Sequence, residues 1–140
     1  MSQQVSEESA GSDNVVLHYW GTRGSIPSPG PETVVFGGNT SCVEVRAGRG
    51  CWVFDGGTGV RSLGADLLAR GGPIEATVLL SHYHWDHVQG LPFFSPLYKE
   101  GVDLTVLGPR VGDYGVEEMI SHLMAPMNFP VACDHMRAHV

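Results

Sequence analysis

The sequence is poor in positive charge. A single lysine, Lys99, and seven arginines scattered singly along 140 residues leave a formal net charge of -7. No basic stripe follows from this, so an extended surface for a nucleic-acid backbone is not expected. An anionic substrate stays open, because bound cations can supply positive charge locally. The three cysteines, Cys42, Cys51 and Cys133, are odd in number and lack any CxxC spacing, which argues against a disulfide scaffold. No apolar run approaches the length of a membrane span, and the acidic start "MSQQVSEESAGSDN" is not that of a signal peptide. These absences predict a cytoplasmic protein, without membrane attachment, whose residues 1–14 form a disordered leader.

What the chain has in plenty is glycine and proline, 19 and 9 residues, which favours many short elements. "VVLHYWG" (15–21) reads as a strand, and 21–39 as a long ordered loop or a set of turns. "SCVEVRAG" alternates like a half-exposed strand and forms a hairpin with "CWVFD". Val60, Leu63, Leu67 and Leu68 recur at helical spacing, and Gly71 and Gly72 end that helix. "ATVLLSH" is a continuous apolar run suited to a strand buried on both faces. Pro92 and Pro96 predict a short or kinked helix over 88–101. "VDLTVLGP" reads as a strand and "YGVEEMISHLMAP" as a helix, whereas 127–140 shows little pattern. Strands alternating with helices predict an α/β layered fold in one domain, 15–140.

"LLSHYHWDHVQGLPFF" (79–94) places three histidines and an aspartate within six positions. H-x-H at a strand end points His82 and His84 the same way, and Asp86 and His87 on the turn beyond address a second point nearby. Imidazole with carboxylate suits zinc, manganese or iron, so the cluster predicts two divalent metal ions. Two such ions lower the pKa of a bridging water, and the nucleophile is then a hydroxide. "DGGTGVRSLG" imitates a dinucleotide fingerprint, but Ser62 stands where the third glycine belongs. No Walker motif occurs.

The segment "SHYHWDHVQGLPFF" resembles the HxHxDH signature of the metallo-β-lactamase superfamily. "VFDGGTGVRSLG" resembles its earlier motif, and "HYWGTRGSIPSPG" with "FGGNTSCVEVR" resembles the branch of phosphonate-pathway phosphodiesterases and tRNA 3'-processing nucleases. The likeness runs from about His18 to Val131. It implies an αββα sandwich, His82 and His84 on a first metal, and Asp86 and His87 on a second, with Asp86 near the nucleophilic water. It implies that Asp55 orients the ligands, although a carboxylate capping the next helix is an equal reading of that residue. It also implies three further ligands from a second half, so the chain is expected to be the N-terminal portion of such a domain.

Two functions follow as expectations. One is a metal-dependent hydrolase of small anionic substrates, phosphodiesters above all; the other is a catalytically incomplete fragment serving as a metal-binding or interaction module. Self-association through an uncovered apolar sheet face is expected with either. Asp134, His135 and His139 are not expected to replace the absent ligands, His122 reads as a helix-surface or packing residue, and Arg23 as a solvated loop arginine. Trp20, Trp52 and Trp85 read as core residues, with Trp85 also a wall of the site.

Overall fold

The computed structural model describes residues 14–140. The expected leader therefore lies outside the described residues, apart from Asn14. Five strands, β1 (Val15–Gly21), β2 (Cys42–Ala47), β3 (Gly50–Phe54), β4 (Ile74–Leu79) and β5 (Val102–Leu107), form one sheet in the order of the sequence. β1, β2 and β3 pair antiparallel, while β3, β4 and β5 run parallel. A parallel neighbour needs a crossover, and helices supply both.

The first crossover is α1 (Gly59–Arg70), whose Val60, Leu63, Gly64 and Leu67 are buried at i, i+3, i+4 and i+7. It stops at Gly71 and Gly72, both at left-handed φ (72° and 79°), as their sequence position predicts. The second crossover contains the one-turn helix α2 (Trp85–Val88) and two 3-10 turns, Leu91–Phe93 and Ser95–Tyr98. Pro92 and Pro96 sit in the first positions of those turns, where a missing N–H costs nothing, so the expected kinked helix is broken into pieces. α3 (Val116–Leu123) follows β5, its first turn fastened by the Gly115 N–H donating to the Glu118 carboxylate at 2.7 Å.

α1 and the 3-10 turns cover one face of the sheet. Val53, Val78 and Leu104 from the strands meet Val60, Leu63, Phe94 and Leu97 there, all buried. Each such side chain contributes about 1.5–3 kcal/mol when removed from water. The opposite face carries the register row Tyr19, Val43, Phe54, Leu79 and Leu107, of which Tyr19, Phe54 and Leu107 are 62%, 44% and 51% exposed.

Three expectations are corrected. β4 is not buried on both sides: Ile74, Ala76 and Val78 face the core, while Glu75 is exposed and Thr77 and Leu79 are half-buried. Trp52 is 38% exposed on the same open face, and Trp85, opening α2, is 76% exposed, so neither is a core residue. Cys42 and Glu44 point into the helical layer, and Val43 and Val45 point to the open face. Glu44 is fully buried because Arg70 at the end of α1 reaches it with two bonds, of 2.6 and 3.0 Å, and the Trp20 indole N–H donates to it at 3.1 Å.

The final segment is also more ordered than expected. His139 joins β5, its N–H donating to the Val102 carbonyl and its carbonyl accepting from the Leu104 N–H, both within 2.9 Å. Arg137 and Ala138 donate to the Leu97 carbonyl.

Candidate metal-binding site

The histidine cluster follows directly on β4. A glycine turn after β3 holds it there: the Gly56 N–H donates to the His87 carbonyl at 2.7 Å, and the Gly90 N–H donates to the Gly56 carbonyl at 2.9 Å. A Cβ on Gly90 would lie 2.1 Å from the Gly57 carbonyl oxygen, so only glycine allows this approach. The "DGGTG" turn that imitates part of a dinucleotide fingerprint is thus occupied in clasping α2.

His82, His84 and His87 are brought together. The His82 ring centroid lies 4.5 Å from that of His84 and 4.1 Å from that of His87. The fourth expected residue, Asp86, places Oδ2 3.4 Å from His87 Nε2. Two donors held 2.0–2.1 Å from one tetrahedral ion lie about 3.4 Å apart, so this pair has the spacing a divalent ion requires. The set remains partial, since no three His, Cys, Asp or Glu side chains among the described residues are placed so that they could together hold one metal ion.

Asp55 sits beneath the cluster, 7% exposed. Its Oδ1 accepts from the Ser81 N–H and hydroxyl, both at 2.8 Å, and its Oδ2 accepts from the Ser41 hydroxyl at 3.0 Å and lies 2.8 Å from His87 Nδ1. Burial pushes its carboxyl up, but the bonds from Ser81, His87 and Ser41 outweigh burial and hold it below the ordinary carboxylate range. An ionised Asp55 only accepts, so His87 Nδ1 carries the proton and Nε2 keeps its lone pair. The Ser81 hydroxyl spends its proton on Asp55 and therefore accepts from His82 Nδ1, 3.0 Å away. One carboxylate thus leaves the Nε2 atoms of both His82 and His87 ready for a metal. Asp55 does not cap α1, whose N-cap position is Thr58.

Sequence reasoning missed Ser81, Ser41 and Ser25. The Ser25 N–H donates to Asp86 Oδ2 at 2.7 Å, across 61 residues, and is the foremost cause holding the Asp86 carboxyl below its usual range. Ser25 and Asp55 are also the two non-glycine residues with left-handed φ among the described residues, at 72° and 63°. Such backbone costs on the order of 1–3 kcal/mol and tends to gather at functional sites.

Other candidates stay apart. His135 pairs with Asp134 and His139 with Asp103, all four exposed. His139 lies beside the start of β5, at the opposite end of the strands from the cluster. His122 is exposed on α3, and Arg23 is exposed and bridges to Thr40 through its backbone. Burial foremost raises the Cys42 thiol to about 12 and the Cys51 thiol to about 11, so neither offers a thiolate near neutral pH. Across α2 from the cluster, Trp85, Val88 and Gln89 line a recess of about 520 Å³ closed by Phe93, Met119 and Phe129.

A sheet layered with helices on one face thus carries imidazole and carboxylate groups gathered behind a parallel strand. The model of the metallo-beta-lactamase superfamily matches residues 35–110, more than half of the chain, and the chain belongs to that superfamily. A crystal structure of a Thermotoga maritima protein, itself only provisionally assigned as a metallo-beta-lactamase, is similar at 17% identity with a TM-score of 0.44. The similarity covers 90% of this chain and 57% of that one, so the present chain spans little more than half its length. No curated protein matches. Among the described residues no helix is long and apolar enough to cross a membrane.

Proposed function

We propose that the chain carries the metal-binding half of a metal-dependent hydrolase, with His82 and His84 on one divalent ion and Asp86 and His87 on a second. The carrying observation is the 3.4 Å spacing of Asp86 Oδ2 and His87 Nε2 beside two further imidazoles. Bound ions of this kind supply Lewis acidity and a hydroxide nucleophile at neutral pH. Asp55 orients His87 directly and His82 through Ser81, keeping both Nε2 lone pairs outward. Asp86 and His87 offer the two donors next to each other at the start of α2, where the clasp from Gly56 fixes the turn.

Zinc suits this donor set best, with manganese and iron as alternatives. A phosphodiester substrate, as in the phosphonate-pathway phosphodiesterases and the tRNA 3'-processing nucleases, belongs to the same reading; it rests on the resemblance of residues 18–46 to that branch. The free thiols of Cys42, Cys51 and Cys133 support a cytoplasmic setting.

A second reading is favoured by the partial donor set: the 140 residues alone bind metal without turning over substrate. Metal content by elemental mass spectrometry, with hydrolysis of bis(p-nitrophenyl) phosphate, separates these readings. Bound zinc, manganese or iron that disappears in the His82→Ala, His84→Ala variant supports the metal site. Turnover supports the enzyme, bound metal without turnover supports the second reading, and a folded chain without metal rejects both.

A further inference from the structure

We propose that Ser25 is a positioning residue for Asp86, its backbone N–H fixing the carboxylate oxygen that faces the same point as His87 Nε2. The proposal rests on the metal reading given above. Oδ2 is the oxygen that accepts from Ser25 at 2.7 Å, and it is also the oxygen 3.4 Å from His87 Nε2. A carboxylate oxygen has two lone pairs, so engaging one with a fixed N–H sets the direction of the other. The donor is neutral. An arginine or lysine there would compete with a cation for the carboxylate, whereas an N–H orients it and leaves its full charge to the ion.

The loop is built to hold that N–H still. The Thr22 and Arg23 N–H groups both donate to the Asn39 carbonyl, at 3.1 and 3.0 Å, and the Ser28 N–H donates to the Gly38 carbonyl at 2.9 Å. Between these ties Ser25 adopts φ 72°, a conformation that a non-glycine residue keeps only when its surroundings impose it. The second left-handed residue, Asp55, holds His87. Each of the two donors proposed for the second ion is therefore held by a strained residue from a different part of the chain.

Because the contact comes from the main chain, position 25 needs an N–H and a left-handed φ, and the serine hydroxyl is dispensable. Zinc titration by calorimetry tests this on the 140-residue chain, with amide exchange to verify the fold. Ser25→Pro removes the N–H and forbids the φ, and we expect affinity for one of the two ions to fall at least tenfold while the other stays. Ser25→Gly keeps both requirements and should rescue wild-type affinity, a result that general damage to the loop would not give. Should Ser25→Pro unfold the chain, an amide-to-ester replacement at residue 25 removes the N–H alone and is read in the same way.

Wild-type affinity for both ions without the N–H, or a Ser25→Gly variant as weak as Ser25→Pro, would overturn the positioning role. Absence of zinc binding by the wild-type chain would instead overturn the metal reading and this inference with it.

Discussion

Asp55 gathers four hydrogen-bond donors from residues as far as 32 positions away, and the protonation of two imidazoles follows from its charge. Replacing it with asparagine offers His87 Nδ1 an amide that can present either a donor or an acceptor, so the tautomer is no longer fixed. Asp55→Asn is expected to weaken zinc binding by about 10–100-fold, and Ser81→Ala by less, since Asp55 keeps the Ser81 N–H, Ser41 and His87 while His82 loses its partner; calorimetric titration checks both. At this scale the histidines were legible in the sequence because they lie within six positions of one another. The serines were not, since Ser25 and Ser81 act on carboxylates 61 and 26 residues away and no local pattern marks them. Asp55 itself was approached only through a resemblance, with helix capping as an equal reading. The fold decides between them by spending all its bonds on Ser41, Ser81 and His87.

Among the elements, β2 alternates as a half-exposed strand, with an ionic residue at one of its inward positions. Apolar Val43 and Val45 face outward because the register pairs them with Tyr19 and Phe54, and with Leu17 and Trp52, on the uncovered side. Glu44 is left inside, and Arg70, Arg46 and Trp20 converge on it. Burial raises the Glu44 carboxyl, but bonds from Arg70 and Trp20 more than offset this and leave it below its ordinary value. A carboxyl depressed in the folded state stabilises the fold above its unfolded pKa of about 4.3, and that contribution is lost as pH falls through the folded value. Acid unfolding followed by circular dichroism should therefore be shallower in Glu44→Gln below about pH 4 than in the wild type. At neutral pH the variant is expected to lose about 3 kcal/mol, the low end for a broken buried pair, because Arg70 is partly solvated and keeps Asp66. The hairpin, α1, β5 and α3 were all legible from periodicity and stop signals. The segment after the cluster was less so, because proline announces a break without saying that two 3-10 turns will fill it.

For the molecule as a whole, one face of the sheet carries the core and the other presents Leu17, Tyr19, Trp52, Phe54 and Leu107 to solvent. The α/β class was legible from the order of elements, and an uncovered apolar sheet face was among the expectations; that β4 contributes to that face was not legible, since its apolar run reads as buried on both sides. A contiguous apolar face of this kind promotes association, so sedimentation velocity should show oligomers that grow with concentration. Phe54→Lys with Leu107→Lys should return the chain to monomer, and a wild-type monomer at all concentrations would remove self-association from the reading. The strand order β1, β2, β3, β4, β5 matters in another respect. Every strand finds its hydrogen-bonding partner in the strand made just before it. Each addition therefore closes only the loop between neighbours, the least entropically demanding way to enlarge a sheet, and none has to insert between strands already paired. The sheet can thus extend in step with synthesis, and the turn bearing His82 to His87 emerges after the β2–β3 hairpin and α1, the platform that Asp55 and Gly56 need in order to receive it.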